Sequence, residues 1–280
     1  MQLDSGFSCN TVIWFTSLPE DEQGPSRRMV EDMEALSEEV GVGFQRLHVN
    51  SASKLVELLE ELTQHAGERQ MRPLLHFDMH GNKEQGLFIS GLNEYFSWDE
   101  LARHLRQLNA ATGNNLCAVG AACFGLRAIM PVKLDQPTPF FLLLAPEQEV
   151  TVGFLEGNVL PFYRELFRSG SIDRAYSSCL SDEFKYFHCE KMLFIAIARY
   201  IREGCKGKTG ETRRERLLTE VFIQGMEKTE ENLTDVRRKI KEGLRPNQAL
   251  LDRYAKTFLI GRTCSFNMDQ LLAFVNGYVS

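Results

Sequence analysis

The sequence predicts an α/β fold built on a mainly parallel sheet and followed by a mostly helical C-terminal region. Three observations carry that expectation. Short β-branched and aromatic runs alternate with longer amphipathic stretches in the first half, the β-α-β-α-β order that yields parallel strands with right-handed crossovers. Two later runs, LCAVGAAC and PFFLLLAP, are apolar throughout, as strands covered on both faces are. After about residue 181, strong strand signals give way to helical periodicity and Gly stops. The expected division is residues 1–181 and 182–280.

TVIWFT (11–16) is the first strand. Met29, Val30, Met33, Leu36 and Val40 recur at helical spacing after a polar, Gly/Pro-containing loop. VGFQRLHV (42–49) is the second strand. Asn50 or Ser51 can cap a helix that carries Leu55, Val56, Leu59 and Leu62 on one face. Arg72-Pro73 leads into LLHFDMH, the third strand. GLFISGLNEYFSW (86–98) is expected as a hairpin, with its turn near 91–94. SWDELARHLRQL is helical, with Ser97 and Glu100 spaced as a capping box. LCAVGAAC is the fourth strand, and residues 125–130 begin a helix. PFFLLLAP (139–146) is the fifth strand, and LPFYRELFRSGSIDRAYSSC reads as helix, Gly turn, helix.

Beyond residue 181, TFLIGRTCSF (257–266) is the sole strand candidate. KMLFIAIARYIREG, ETRRERLLTEVFIQGM, NLTDVRRKIKEG and NMDQLLAFVNG are helical by period, and GCKGKTG (204–210) is expected as a flexible loop.

The 280 residues carry a net charge of −6, which argues against bulk attraction to nucleic acid. The charge is uneven. Residues 1–200 hold 17 Lys/Arg against 27 Asp/Glu, while residues 201–280 hold 15 against 11, so the two parts meet different surroundings. The basic runs RRERLL and RRKIK are expected as solvated helix faces. No apolar run approaches a membrane span, and the N-terminus lacks the form of a secretory signal. The seven cysteines are scattered, without CxxC pairs or zinc spacing, which fits a reduced, cytoplasmic protein.

The chemistry concentrates where two apolar strands stop. The third ends on His80-Gly81 and the fourth on Ala121-Ala122-Cys123. In open parallel sheets, ligands bind beyond the carboxyl ends of the strands. If these two strands adjoin, imidazole and thiol converge on one rim. A thiol becomes a strong nucleophile once a base takes its proton, and an imidazole can return that proton to a leaving amine. Gly81 lets a carbonyl approach, so its amide and that of Cys123 form a candidate oxyanion hole.

His-Gly after one apolar strand, then a hairpin and helix, then Ala-Cys after the next, resembles the caspase-like cysteine proteases. The closest subgroup is the CHAT-type proteases of prokaryotes. The likeness covers roughly residues 10–179 and includes GLFISGLNEYFSW and the block FYRELFRSGSIDRA. It implies a three-layer sandwich over residues 1–181 and a cysteine endopeptidase acting on protein substrates without a cofactor or metal. It further implies His80 as base, Cys123 as nucleophile, the Gly81 and Cys123 amides on the oxyanion, and a setting in prokaryotic defence. Relatives that cut after Arg or Lys commonly carry an acid two residues before the nucleophile. Here that position is Ala121, and Asp78, two before His80, is the alternative pocket residue. Relatives are often governed by a sensor or partner, a role residues 182–280 are free to serve.

Rival readings rest on the same residues. His76, Asp78 and His80 share one side of a strand and form a metal-ligand set, yet they spread over about 13 Å. Ala121-Ala122-Cys123-Phe124-Gly125 also resembles the nucleophile turn of glutamine amidotransferases, whose His follows the Cys; His188 is the one His that does so here. No Arg lies six residues after Cys117 or Cys123, which excludes a cysteine phosphatase. Cys117 is expected in the core, as are Trp14 and Trp98. A latent interaction module on the same fold is the remaining alternative.

Overall fold

The computed structural model describes residues 3–205 and 207–277. Its centre is a six-stranded sheet in the order β2-β1-β3-β7-β8-β9. Strand β1 (Thr11–Ser17) is buried almost throughout. A 3-10 turn (Glu20–Glu22) leads into helix α1 (Gln23–Val40), which buries Met29, Val30, Met33 and Leu36. Strand β2 (Gly43–His48) follows, and Ser51 caps helix α2 (Ala52–Glu68) by accepting from the Lys54 amide. Strand β3 (Pro73–Met79) lies parallel to β1 on the side away from β2. Right-handed crossovers in opposite directions put α1 and α2 on opposite faces. The strand order therefore reverses between β1 and β3, the place where open α/β sheets hold their ligands.

Beyond β3, a small antiparallel sheet forms from β4 (Gly81–Asn82), β5 (Gly86–Ile89) and β6 (Glu94–Phe96). Helix α3 (Trp98–Ala111) starts at Ser97, whose hydroxyl accepts from the Glu100 amide, the first half of the expected capping box; the Glu100 carboxylate accepts from the Ser97 hydroxyl at 2.8 Å rather than from its backbone amide. Strand β7 (Cys117–Ala121) pairs parallel with β3, and β8 (Leu142–Pro146) pairs parallel with β7. Helix α4 (Val152–Ser169) ends on left-handed Gly170 and is followed by the short α5 (Ile172–Ala175) and a π turn (Tyr176–Leu180). Helix α1 packs on α4, and α2 on α3, so a helical layer covers each face.

The last strand corrects two expectations. β9 (Phe184–His188) runs antiparallel to β8, so the sheet extends past the boundary expected at residue 181. FKYFH lies between charged residues and alternates weakly, and pairing with buried β8 overrides that local signal. Residues 257–266 hold no strand. They finish helix α9 and continue as turns. Residues 125–130 form one 3-10 turn (Gly125–Ile129) rather than the start of a longer helix, because the chain turns at once toward Pro131.

The C-terminal region comprises α6 (Cys189–Tyr200) with a π turn (Ile201–Cys205), α7 (Gly207–Ile223), α8 (Glu230–Gly243), α9 (Gln248–Phe258) and α10 (Met268–Gly277). The segment expected as a loop at 204–210 is helical from Gly207, with residue 206 outside the described residues. Helix α9 was not anticipated from the sequence. Its buried Leu251, Ala255 and Phe258 do follow helical spacing. Phe194 on α6 packs edge-on against Phe266 and Phe274, which ties this region to the sheet through β9. Among the described residues no helix is long and apolar enough to cross a membrane.

Candidate active site

The five residues singled out in the sequence meet at one place. Asp78 on β3 and Ala121 on β7 are direct register partners. Two residues further on, beyond both strand ends, stand His80 and Cys123. A single solvent-open cleft is lined by Asp78, His80, Ala121 and Cys123, with Glu22, Ser26 and Val150 also on its walls. Gly81 is wedged beside it. A Cβ there would overlap the Cys123 carbonyl oxygen and lie 3.3 Å from the Cys123 nitrogen, so glycine is what lets the two strand ends touch.

His80 is half exposed, and its Nε2 lies 2.7 Å from Glu22 Oε2. A carboxylate only accepts, so Nε2 is the donor in this contact, and among the described residues Nδ1 makes no hydrogen bond to protein. The Cys123 thiol is held by the β8–α4 loop. The Val150 amide donates to Sγ at 3.4 Å, and Sγ lies 3.8 Å from the Val150 carbonyl. Among the described residues no hydrogen bond links the His80 ring to the thiol. Free sites commonly keep such groups apart until substrate closes them together.

The backbone around the thiol is unusual. Phe124 sits in the left-handed region at φ 59°, and its amide donates to the Gln148 carbonyl at 3.0 Å. A bulky residue there costs of order 1 kcal/mol, and such strain clusters at functional turns. The amide of Cys123 has no protein acceptor among the described residues. Gly81 stands opposite Leu87, beside the bond from the Phe88 amide to the His80 carbonyl at 2.9 Å. In that register its own amide is turned away from β5. Both donors proposed for an oxyanion are therefore uncommitted to neighbouring strands.

Asp78 is buried beneath the cleft. Its Oδ2 accepts from Ser26 Oγ and from Trp14 Nε1 at 3.3 Å. Trp14 thus serves a polar role as well as packing. Burial raises the Asp78 carboxyl above the usual range, against the opposing pull of Ser26 and Trp14 and the more distant charge of Arg46.

The metal set does not assemble. His76 is sealed in the core, stacked on Trp14 at 3.5 Å, with Nδ1 3.0 Å from the Tyr163 hydroxyl. Burial pushes its pKa down to about 3, so the ring is neutral. Among the described residues no cluster of three suitable ligands occurs. His188 is the last residue of β9 and the cap of α6. It pairs with Leu142 at the start of β8, the end of the sheet opposite Cys123, so it cannot act on that thiol. Burial raises the thiols of Cys9, Cys117, Cys179, Cys189 and Cys264, which disfavours their thiolate forms.

Glu22 is the residue that sequence reasoning missed. It lies 58 residues before His80, and only the adjacency of β1 and β3 brings it close. The acidic run PEDE directly after β1 is the signal that marks this loop as part of the rim. The chain matches no family model, and no curated protein matches it.

Proposed function

We propose that this protein is a cysteine endopeptidase on a caspase-like three-layer sandwich. Cys123 is the nucleophile, His80 the general base and Glu22 the residue that positions the imidazole. The observation that carries this reading is the sharing of one open cleft by His80 and Cys123 at the ends of adjoining parallel strands, with Nδ1 of His80 left unspent.

The reaction follows from those positions. Nδ1 takes the thiol proton, and the sulfur attacks the peptide carbonyl carbon. The carbonyl oxygen becomes an oxyanion facing the Gly81 and Cys123 amides. As the C–N bond breaks, the imidazolium returns its proton to the departing amine, leaving a thioester. His80 then deprotonates a water that attacks the thioester, and the acid product leaves with the thiol restored. Glu22 stabilises the imidazolium in both halves. The chemistry calls for no metal or cofactor. A free nucleophilic thiol suits a reducing compartment, in keeping with a cytoplasmic protein. The helical region beyond β9 is the natural seat for a regulatory partner.

The test is proteolysis of candidate partner proteins by wild type, Cys123→Ala and His80→Ala. Cleavage lost in both variants supports the reading. Cleavage that survives Cys123→Ala overturns it, as does cleavage stopped by a chelator and indifferent to a thiol alkylator.

A further inference from the structure

We propose, resting on the endopeptidase reading above, that Phe88 and Tyr95 form the subsite for the substrate residue that follows the scissile bond, and that this residue is large and apolar, aromatic before aliphatic. The small sheet of β4, β5 and β6 has two unlike faces. Leu87, Ile89 and Phe96 fill one of them and are buried. Phe96 lies against His104 of α3, with ring centres 6.1 Å apart. The other face carries Phe88 and Tyr95, which are direct register partners with ring centres 5.2 Å apart. Tyr95 is 39% exposed and Phe88 is partly exposed.

His80 is the inner end of that row. The Phe88 amide donates to the His80 carbonyl, and the pairing of Gly81 with Leu87 continues back to His80 and Phe88. Paired residues of an antiparallel ladder share a face, and the ring centres of His80 and Phe88 lie 6.5 Å apart. The face is also the one turned to the cleft. Glu22 and Ser26 reach His80 and Asp78 from the α1 side, whereas α3 belongs to the opposite helical layer. His80 therefore both lines the cleft that holds Cys123 and starts the aromatic row.

The chemistry decides which part of a substrate meets the row. When the C–N bond breaks, the acyl half stays bonded to Cys123 in the cleft. The amine half must present its nitrogen to the His80 imidazolium, which gives that nitrogen its proton. The residue carrying the nitrogen is the first one after the scissile bond. Its Cβ lies about 2.5 Å from the nitrogen, so a long side chain spans to Phe88 and a short one leaves the ring bare. The Phe88 and Tyr95 rings are tilted 54° to each other, and a third ring packs on such a pair edge to face or offset. Glu22 beside His80 and Glu94 beside Tyr95 are committed to the imidazole and to the Ala52 amide. The row thus offers rings rather than charge. A cross-strand aromatic pair also stiffens a hairpin, and the experiment separates the two roles.

The experiment digests an amine-blocked peptide library from a whole proteome with the full chain and identifies the new N-termini by mass spectrometry. Each new N-terminus is the residue after the cut, and peptides also released by Cys123→Ala are subtracted. In wild type, Phe, Tyr, Trp, Leu and Met are expected there about tenfold over Gly, Ser and Asp, relative to their occurrence in the library. Phe88→Ala is expected to flatten that ratio. A purely structural role for Phe88 would lower all cleavage alike and leave the ratio in place, which overturns the proposal. Phe88→Leu keeps an apolar face on the hairpin and is expected to shift the new N-termini from aromatic toward aliphatic; it decides the matter where Phe88→Ala does not fold. New N-termini without bias, or enriched in charged residues, overturn the subsite while Cys123-dependent cleavage leaves the endopeptidase reading standing. Absence of any Cys123-dependent cleavage overturns both together.

Discussion

Two regions of this molecule contain the same three residue types and differ in everything that matters for chemistry. At the carboxyl rim, His80, Glu22 and Cys123 surround an open cleft. At the other end of the sheet, His188, Cys189 and Glu190 stand consecutively and almost without exposure. There every bond serves structure. His188 Nε2 binds the Asp4 carbonyl at 3.0 Å, and Nδ1 accepts from the Glu190 amide at 3.1 Å, which caps α6. Asn114 Nδ2 lies 3.7 Å from Cys189 Sγ. Glu190 Oε2 accepts from the Ser265 amide and hydroxyl. Both ring nitrogens are spent, and burial pushes the Cys189 thiol up to about 12. At the rim, by contrast, one ring nitrogen is spent and one is free. Residue type is thus a weak guide to reactivity. Unspent valence and access to solvent decide it.

The largest contrast between the two regions is expected on removing each sulfur. Cys123→Ala is expected to lower peptide cleavage by about 10⁴-fold or more. Cys189→Ala is expected to leave kcat/KM within about threefold and to appear only as a lower melting temperature. Next in size is Gly81→Ala. Its methyl group must displace the Cys123 carbonyl, and misplacement of that order costs about 100-fold in kcat. Circular dichroism would show the fold retained. Glu22→Gln is a smaller change, because the contact between the imidazole and the carboxylate is half exposed. The expected loss is about tenfold in kcat with KM nearly constant.

The smallest effects are in pH dependence, and they have opposite signs in the two regions. Burial lowers the His188 pKa in the folded protein. Its contribution to stability is present above the unfolded value, about 6.5, and is lost as pH falls through the folded value. His188→Asn keeps a capping side chain and should flatten the melting curve between pH 7 and 5. Burial raises the Asp78 pKa. Its contribution is present below the unfolded value, about 3.9, and is lost as pH rises through the folded one. Asp78→Asn should therefore melt a degree or two higher than wild type at pH 7, with the gap closing toward pH 4.

How much of this was legible in the sequence follows from what each feature depends on. The ends of β3 and β7 were readable because apolar runs stop there on polar, reactive side chains, and alternation places Asp78 with His80 and Ala121 with Cys123. The caps at Ser51 and Ser97 and the stop at Gly170 were readable because their signals are local. Strand β9 was not, since FKYFH becomes a strand only by pairing with β8. Glu22 was not, since its role rests on strand order. The hydrogen bonds to Asp78 were not, since Ser26 and Trp14 reach it from α1 and β1. Local chemistry was visible; long-range juxtaposition required the fold.

The proposed chemistry requires that His80 activate Cys123 within their shared cleft. The most direct measurement is the alkylation rate of each cysteine by iodoacetamide near neutral pH, resolved by peptide mass mapping in wild type and His80→Ala. Cys123 is expected to react faster than Cys117 and Cys189 by at least about tenfold, and His80→Ala to remove most of that advantage. A Cys123 no faster than those buried thiols, or one whose rate ignores the loss of His80, would contradict it.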